Sequence, residues 1–257
     1  MSRRMATGTV ARLWRWPVKS MGGEEVRALS LDARGVGGDR THALLHEHKG
    51  EWRPLTAREA PRLLAWSAAY PFNLDAGLDP ASPPHTIVSR PDGRRSWRWG
   101  DPQLRSALET DLGRPVRLLR DVAGVPDVPG AMLLTTEATL AALGEELGAA
   151  IDLRRLRPNL HLRLDAPAWA EPGWEGLEAR FEGGVRLELL MPCERCAIPT
   201  RHPETQVKWP GLLSHLAAEH SQCFGIYARV VEGGRVAVGE AVRMATPAAS
   251  GSQVSRR

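Results

Sequence analysis

Hydrophobic and polar positions alternate in short runs through the first hundred residues. Segments 8–14, 25–31, 40–45 and 63–70 read as strands, interrupted by Gly35, Gly37, Gly38 and Pro71. Glycine and proline punctuate pleated segments in this way. Segment 75–84 is rich in Pro, Asp and Gly and reads as a loop. Segments 87–90 and 96–99 flank Pro91, Asp92 and Gly93, a hairpin signal. The period then changes. Leu104, Leu108 and Leu112 recur four apart, Asp101 stands where a cap is needed, Pro102 at the first helical position and Gly113 at the stop. A helix is therefore predicted between them. Segment 116–119 follows as a strand, and 123–130, with two Pro and two Gly, as a linker.

The second half opens with a strand at 131–134. Thr135 and Thr136 then cap a helix over 137–147, with Leu140, Leu143 and Leu147 as its apolar stripe and Gly148 as its end. Strands are predicted at 160–164, 177–181, 185–190, 225–231 and 236–242, and a short helix at 212–220. The Ala-, Ser-, Gly- and Arg-rich tail from Thr246 reads as disordered. No internal repeat is visible. Many short strands with few helices indicate an α+β, β-rich fold built around a β-barrel.

Charge narrows the function. The chain carries 34 Lys and Arg against 30 Asp and Glu, a net charge of +4, with no block of five like charges. A nucleic-acid groove needs clustered cations with interleaved aromatics, so no nucleic-acid partner is expected. Trp14, Arg15 and Trp16, and again Trp97, Arg98 and Trp99, alternate as strands do, which suggests Arg stacked on Trp across a sheet face. No apolar run approaches the roughly 18–20 residues of a membrane span, and the basic start lacks the apolar core of a secretory signal. Three cysteines in 257 residues suit a reducing compartment. The expectation is a cytoplasmic protein without a membrane partner.

Candidate chemistry concentrates at Met-Pro-Cys-Glu-Arg-Cys-Ala-Ile-Pro-Thr, residues 191–200. Arg195 would favour a thiolate, the reactive and metal-binding form of cysteine. On the residues alone, three readings remain open. A structural zinc site would need further ligands from His202, His215, His220 or Cys223. A redox dithiol would need the CxxC at a helix start, which Pro199 disfavours. Two half-buried thiols in a turn need no chemistry at all. Lys19 is one of only three lysines, and with Ser20 it follows a strand that Pro17 interrupts, where a compact cation suits a phosphate oxygen. Arg157, Pro158 and Asn159 enter another strand, and the Thr135–Thr136 helix start offers free N–H groups to an anion.

The motifs GTVARLWRWPVKS, GGDR at 37–40, LTAREAPRL at 55–63, LLTTEATLAAL at 133–143, RPNL at 157–160 and MPCERCAIPT, in this order, together resemble the MOSC family. These are homologues of the C-terminal domain of molybdenum cofactor sulfurase, here with the family's N-terminal β-barrel domain, and they include the amidoxime reducing components. The resemblance implies an N-terminal domain over 7–120, a MOSC domain over 121–245 and a tail over 246–257. It implies a molybdenum-pterin cofactor with Cys196 as metal ligand and catalytic residue, and Cys193 outside the ligand set. Lys19, Ser20, Arg40, Arg58, Thr135, Thr136, Arg157 and Asn159 match its cofactor contacts. The implied activity is reduction of N-hydroxylated or N-oxide substrates, with electrons from a separate protein because no CxxxxCxxC run is present. A persulfide carrier on Cys196 and a non-catalytic cofactor-binding protein are the alternatives. The chain departs from the family at 202–206, where His202, Pro203, Glu204, Thr205 and Gln206 replace an Asp- and Gly-containing turn, and at Thr41, where relatives often carry an aromatic residue.

Overall fold

Residues 5–71 and 78–247 of the computed structural model are described here. Seven strands close a barrel. They are β1 (Thr7–Arg15), β2 (Ala131–Thr136), β3 (Leu160–Leu164), β4 (Glu178–Phe181), β5 (Arg186–Glu194), β6 (Cys223–Glu232) and β7 (Ala241–Ala245). Around the barrel the order is β3-β2-β6-β5-β4-β7-β1, and β1 pairs back onto β3. All neighbours are antiparallel except β2 and β3. A parallel pair needs a crossover, and helix α2 (Glu137–Leu147), numbered after α1 (Pro102–Leu112), lies in it. Alternate residues face inward, so Val10, Leu134, Leu160, Leu162, Leu187, Leu189, Ile226 and Val242 fill the interior.

Closure requires a glycine at position 8. Gly8 pairs with Leu164 across the β1–β3 seam, and a Cβ there would lie 1.9 Å from the Arg163 carbonyl oxygen. Residues from the first part of the chain therefore complete a barrel whose other six strands come from the second part.

The rest of the first part forms small sheets beside the barrel. His42–His48 pairs with Glu51–Pro54 and Arg117–Arg120, while Ser67–Ala69, Ile87–Ser89 and Ser96–Arg98 form a meander. Helix α1 buries Leu104 and Leu108 against Trp66, Trp97 and Trp99. Asp101 accepts from the Gln103 N–H, and Gly113 ends the helix in the left-handed region. Helix α3 (Pro210–Glu219) buries Leu212 and Leu216 with Trp14, Trp16 and Phe224.

The β-rich α+β expectation holds, with corrections in detail. Segment 63–70 divides into a 3₁₀ turn, Pro61–Ala65, and the strand Ser67–Ala69, because Pro61 starts the turn and Leu63 and Leu64 are buried by it. Segment 236–242 divides into Gly234–Ala237 and β7 at Gly239, which has φ +88°. Segment 25–31 divides into Glu24–Val26 and Ala28–Asp32, which pair with different strands. The Glu51–Pro54 strand was not anticipated; Lys49 and Gly50, both at positive φ, turn the chain into it. Strand β5 runs on through Cys193, placing that thiol in the sheet. The loop expected at 75–84 and the tail expected from Thr246 lie partly outside the described residues.

Candidate functional site

One cleft gathers most of the residues singled out above. Lys19, Ser20, Arg40, Arg58, Arg157, Asn159 and Cys196 all line it, together with Thr56, Asp127, Cys193, Glu194, Arg195 and Tyr227. It holds five cationic side chains against two carboxylates and about 170 Å³ of free space.

Backbone pairing beyond β1 brings the first contributors together. The Trp16 N–H donates to Asp39 Oδ1 at 2.7 Å, the Arg40 N–H donates to the Trp16 carbonyl at 2.7 Å, and the Lys19 N–H donates to the His42 carbonyl at 2.8 Å. The 16–20 and 37–42 segments are thus one pinned unit. Ser20, Arg40 and Arg157 all sit in the left-handed region, at φ 69°, 51° and 54°. Non-glycine residues held there cost about 1–3 kcal/mol each and cluster at functional sites. The Ser20 hydroxyl accepts from the Ala57 N–H at 3.0 Å, which fixes the segment carrying Thr56 and Arg58.

Charge is arranged around one wall. Lys19 Nζ donates to Asp127 Oδ1 at 2.8 Å and to the Val125 carbonyl at 2.9 Å. The surrounding protein pushes the Asp127 carboxyl up, but the Lys19 ammonium outweighs this and leaves it below its ordinary value. Arg40 Nη1 pairs with Asp39 Oδ2. The Arg157 guanidinium carbon lies over Trp16, 4.2 Å from the ring centroid, and Nη1 donates to the Met21 carbonyl at 2.7 Å. Its Nη2 is buried without a partner. Burial, and next the neighbouring Arg40, push the Arg157 guanidinium down to about 9. That is still above neutral pH, so it remains a cation.

The two thiols differ. Cys193 is buried, and Arg195 Nη1 donates to its Sγ at 2.9 Å while Nη2 holds the Leu156 carbonyl at 2.8 Å. Arg195 Nε is buried and unpartnered. The guanidinium expected to activate a thiol therefore lies on Cys193. Cys196 lies past the end of β5, half-buried and facing the cleft. Burial raises the Tyr227 phenol, and Cys193 adds to the rise. Asn159 is fully buried, with both ends of its amide occupied. Its Oδ1 accepts from the Leu133 N–H at 3.3 Å and its Nδ2 donates to the Trp14 carbonyl at 3.3 Å. It braces β1 against β2 and forms cleft wall.

Thr135 and Thr136 are not among the residues lining the cleft. Thr135 Oγ1 contacts His161 Nδ1 at 2.9 Å. Thr136 Oγ1 accepts from the Thr139 N–H and donates to Glu171 Oε1 at 2.7 Å, and Thr139 Oγ1 donates to Glu171 Oε2 at 2.8 Å. The helix start does attract an anion, but the anion is the protein's own buried Glu171 carboxylate. His202 Nδ1 accepts from the Glu204 and Thr205 N–H groups, each at 3.2 Å, and so holds its own turn.

Sequence reasoning missed Asp127, Tyr227 and the contact between Arg195 and Cys193. Asp127 sits in the Pro- and Gly-rich segment read as a linker, and only its lone acid opposite a rare lysine could have marked it. Tyr227 alternates with buried residues along β6, and nothing in that pattern separates it from core.

The arrangement places five cationic side chains beside two thiols. Two buried guanidinium nitrogens lack partners, and flat Arg surfaces and a Lys point charge suit phosphate oxygens. A pterin carrying a phosphate, with a soft metal for Cys196, fits this donor set.

The chain matches the description of the MOSC domain over residues 121–243 and of the MOSC N-terminal beta barrel domain over 7–88. It is 28% identical over 287 residues to mitochondrial amidoxime reducing component 2 of Macaca fascicularis, covering 93% of this chain and 84% of that relative. It is 29% identical over 244 residues to mitochondrial amidoxime-reducing component 1 of Homo sapiens, covering 78% and 68%. Its fold is similar to that of the YUAD protein from Bacillus subtilis, with a TM-score of 0.50 at 15% identity, over 94% of this chain and 97% of that one. Among the described residues, no helix is long and apolar enough to cross a membrane.

Proposed function

Because the chain belongs to the MOSC family and carries both the MOSC domain and its N-terminal beta barrel domain, we propose that the cleft binds a molybdenum-pterin cofactor and that the protein is an oxidoreductase for N-hydroxylated or N-oxide compounds. The observation that carries this reading is the pairing of a half-buried Cys196 thiol with unpartnered buried guanidinium nitrogens on Arg157 and Arg195 in one cationic cleft. The relatives named as amidoxime reducing components support the choice of substrate class.

Each residue has a task in this reading. Cys196 is the metal ligand. Lys19, Arg40 and Arg58 neutralise the phosphate, with Ser20 holding the segment that presents Arg58. Arg157, braced on Trp16, offers its free Nη2 to the ring system or its phosphate. Asn159 keeps the wall rigid rather than donating to the ligand. Arg195 donates to the buried Cys193 thiol, which leaves Cys196, the more exposed of the two thiols lining the cleft, as the ligand. When bound, the group supplies two-electron chemistry at molybdenum, converting N–OH to N–H and water with two electrons and two protons. A separate electron-donor protein supplies the electrons, and a cytoplasmic setting keeps the thiols reduced.

The test is metal and pterin analysis of the full-length protein made in a molybdenum-replete host. Stoichiometric molybdenum that is retained in Cys193→Ala, with N-reduction abolished in Cys196→Ala, is the expected result. Protein without molybdenum or pterin that carries a persulfide on Cys196 would establish sulfur transfer instead, since that needs only an exposed activated thiol. Bound cofactor without turnover under any electron donor would reduce the protein to a cofactor binder.

A further inference from the structure

Away from the cleft, two helix ends and a loop converge on a group of side chains that the proposed chemistry does not use. Glu146 lies in the last turn of α2, His215 lies on α3, and His220 is the residue that ends α3. His215 Nε2 and His220 Nε2 each stand 2.8 Å from the same oxygen, Glu146 Oε2. Three potential ligand atoms from these residues lie within 4.8 Å of one another. None of the three residues lines the cleft.

We propose that Glu146, His215 and His220 form a binding site for a first-row divalent cation of the zinc class, independent of the molybdenum cofactor. Two imidazole nitrogens and one carboxylate with open positions are a recurrent zinc donor set, and imidazole selects this metal class over magnesium or calcium.

Three observations favour a cation over a bare hydrogen-bond cluster. The first is electrostatic. Neither α2 nor α3 carries a basic residue in its last turn, although the partial negative charge of helix C-termini favours cations. Glu146 adds a full negative charge to the end of α2, so the two ends present acceptors with no fixed countercharge of their own.

The second is the support around the ligands. Trp169 Nε1 donates to Glu146 Oε1 at 2.9 Å, leaving Oε2 to face the two imidazoles. The same indole stacks on the His220 ring with centroids 3.4 Å apart and planes 13° off parallel. Trp169 does this from the left-handed region, at φ 60°. Outer partners that orient ligating carboxylates and imidazoles in this way typify metal sites.

The third is room. The three side chains are partly exposed, at 30%, 22% and 16%, so a hydrated ion can reach them and keep water in its open positions. Ligand atoms around tetrahedral zinc stand roughly 3.3 Å apart. Seating the ion therefore lengthens both 2.8 Å nitrogen–oxygen contacts by about half an ångström.

The experiment titrates chelator-stripped, full-length protein with Co(II) and follows the visible and near-ultraviolet spectrum, then competes the ion out with Zn(II). One Co(II) per chain is expected, with d–d bands of a nitrogen- and oxygen-ligated ion and no thiolate-to-metal charge transfer. Glu146→Gln and His220→Gln should each weaken binding by 100-fold or more, and Trp169→Phe by about 10- to 100-fold. Cys223→Ser, close by in sequence, should leave it unchanged. A thiolate charge-transfer band in the wild type would assign the ion to cysteine and overturn the proposal, as would affinity that survives His220→Gln within threefold. If a variant fails to fold, the wild-type spectrum alone decides between the ligand classes. Loss of molybdenum from the cleft would not change the result, so the two readings fail separately.

Discussion

Acidification should weaken the fold through two buried imidazoles. His42 is fully buried beside Trp99, with ring centroids 4.9 Å apart, and His161 is buried against Thr135. Burial is the main cause in both, and it pushes each imidazole down to about 4. An unfolded chain titrates them near the ordinary value of about 6.5. The unfolded state therefore binds protons that the folded state refuses. The stability these residues contribute is complete above about pH 6.5 and falls away as the pH drops towards 4. Working from a shift of 6.5 to 4, each imidazole weakens the fold by about 2 kcal/mol between pH 7 and pH 5, and the pair by about 4 kcal/mol. Urea unfolding at the two pH values measures this directly. His42→Gln and His161→Gln, neutral throughout, should each remove about 2 kcal/mol of the pH-dependent loss, whatever their stability at pH 7. Carboxylate contributions are common to all three proteins and cancel in the comparison. If the variants lose as much stability between pH 7 and pH 5 as the parent, the buried-neutral assignment is wrong.

Two further outcomes separate structural from functional roles. Thr136→Ala removes the cap of α2 and one of the two hydroxyls donating to the buried Glu171 carboxylate; it should cost about 2 kcal/mol in urea unfolding yet leave molybdenum content unchanged, whereas loss of molybdenum from a folded variant would return this threonine to the cofactor site. Gly8→Ala drives a methyl into the Arg163 carbonyl across the β1–β3 seam and should destabilise by more than about 3 kcal/mol, read as a lowered thermal midpoint; a midpoint within a few degrees of the parent would show that the seam can open to admit it.

The parts of the site that could be read in the sequence were those with chemical contrast. Lys19 stood out because lysine is scarce, Cys196 because its partner lay three residues away, and Arg157 because Pro158 follows it at a strand entry. What stayed hidden depended on long-range partners. A threonine pair at a helix start has the same local pattern whether its anion is a ligand or Glu171, which lies 35 residues on in sequence from Thr136. Asp127 was masked by the turn-forming residues around it. The barrel strands were legible from alternation at 8–14 and 160–164, but not their pairing, since register across the seam depends on a close approach at Gly8. The division of segment 25–31 was equally invisible, because its two halves differ only in which distant strand each one meets.

The seam also bears on how the molecule is made. Strand β1 lies between β3 and β7, so the barrel strand synthesised first pairs with the one synthesised last. While the ribosome works through the intervening residues, β1 has an early partner only at Leu13, Trp14 and Arg15, which pair with Glu24–Val26; the rest of it carries open hydrogen-bonding edges and an apolar face, and the sheets flanking α1 can assemble ahead of it. The barrel becomes a closed surface only after residue 245 has emerged. A cell making this protein must therefore shelter a largely unpaired strand for most of the translation time. Stalling late in synthesis would be more hazardous to it than stalling early.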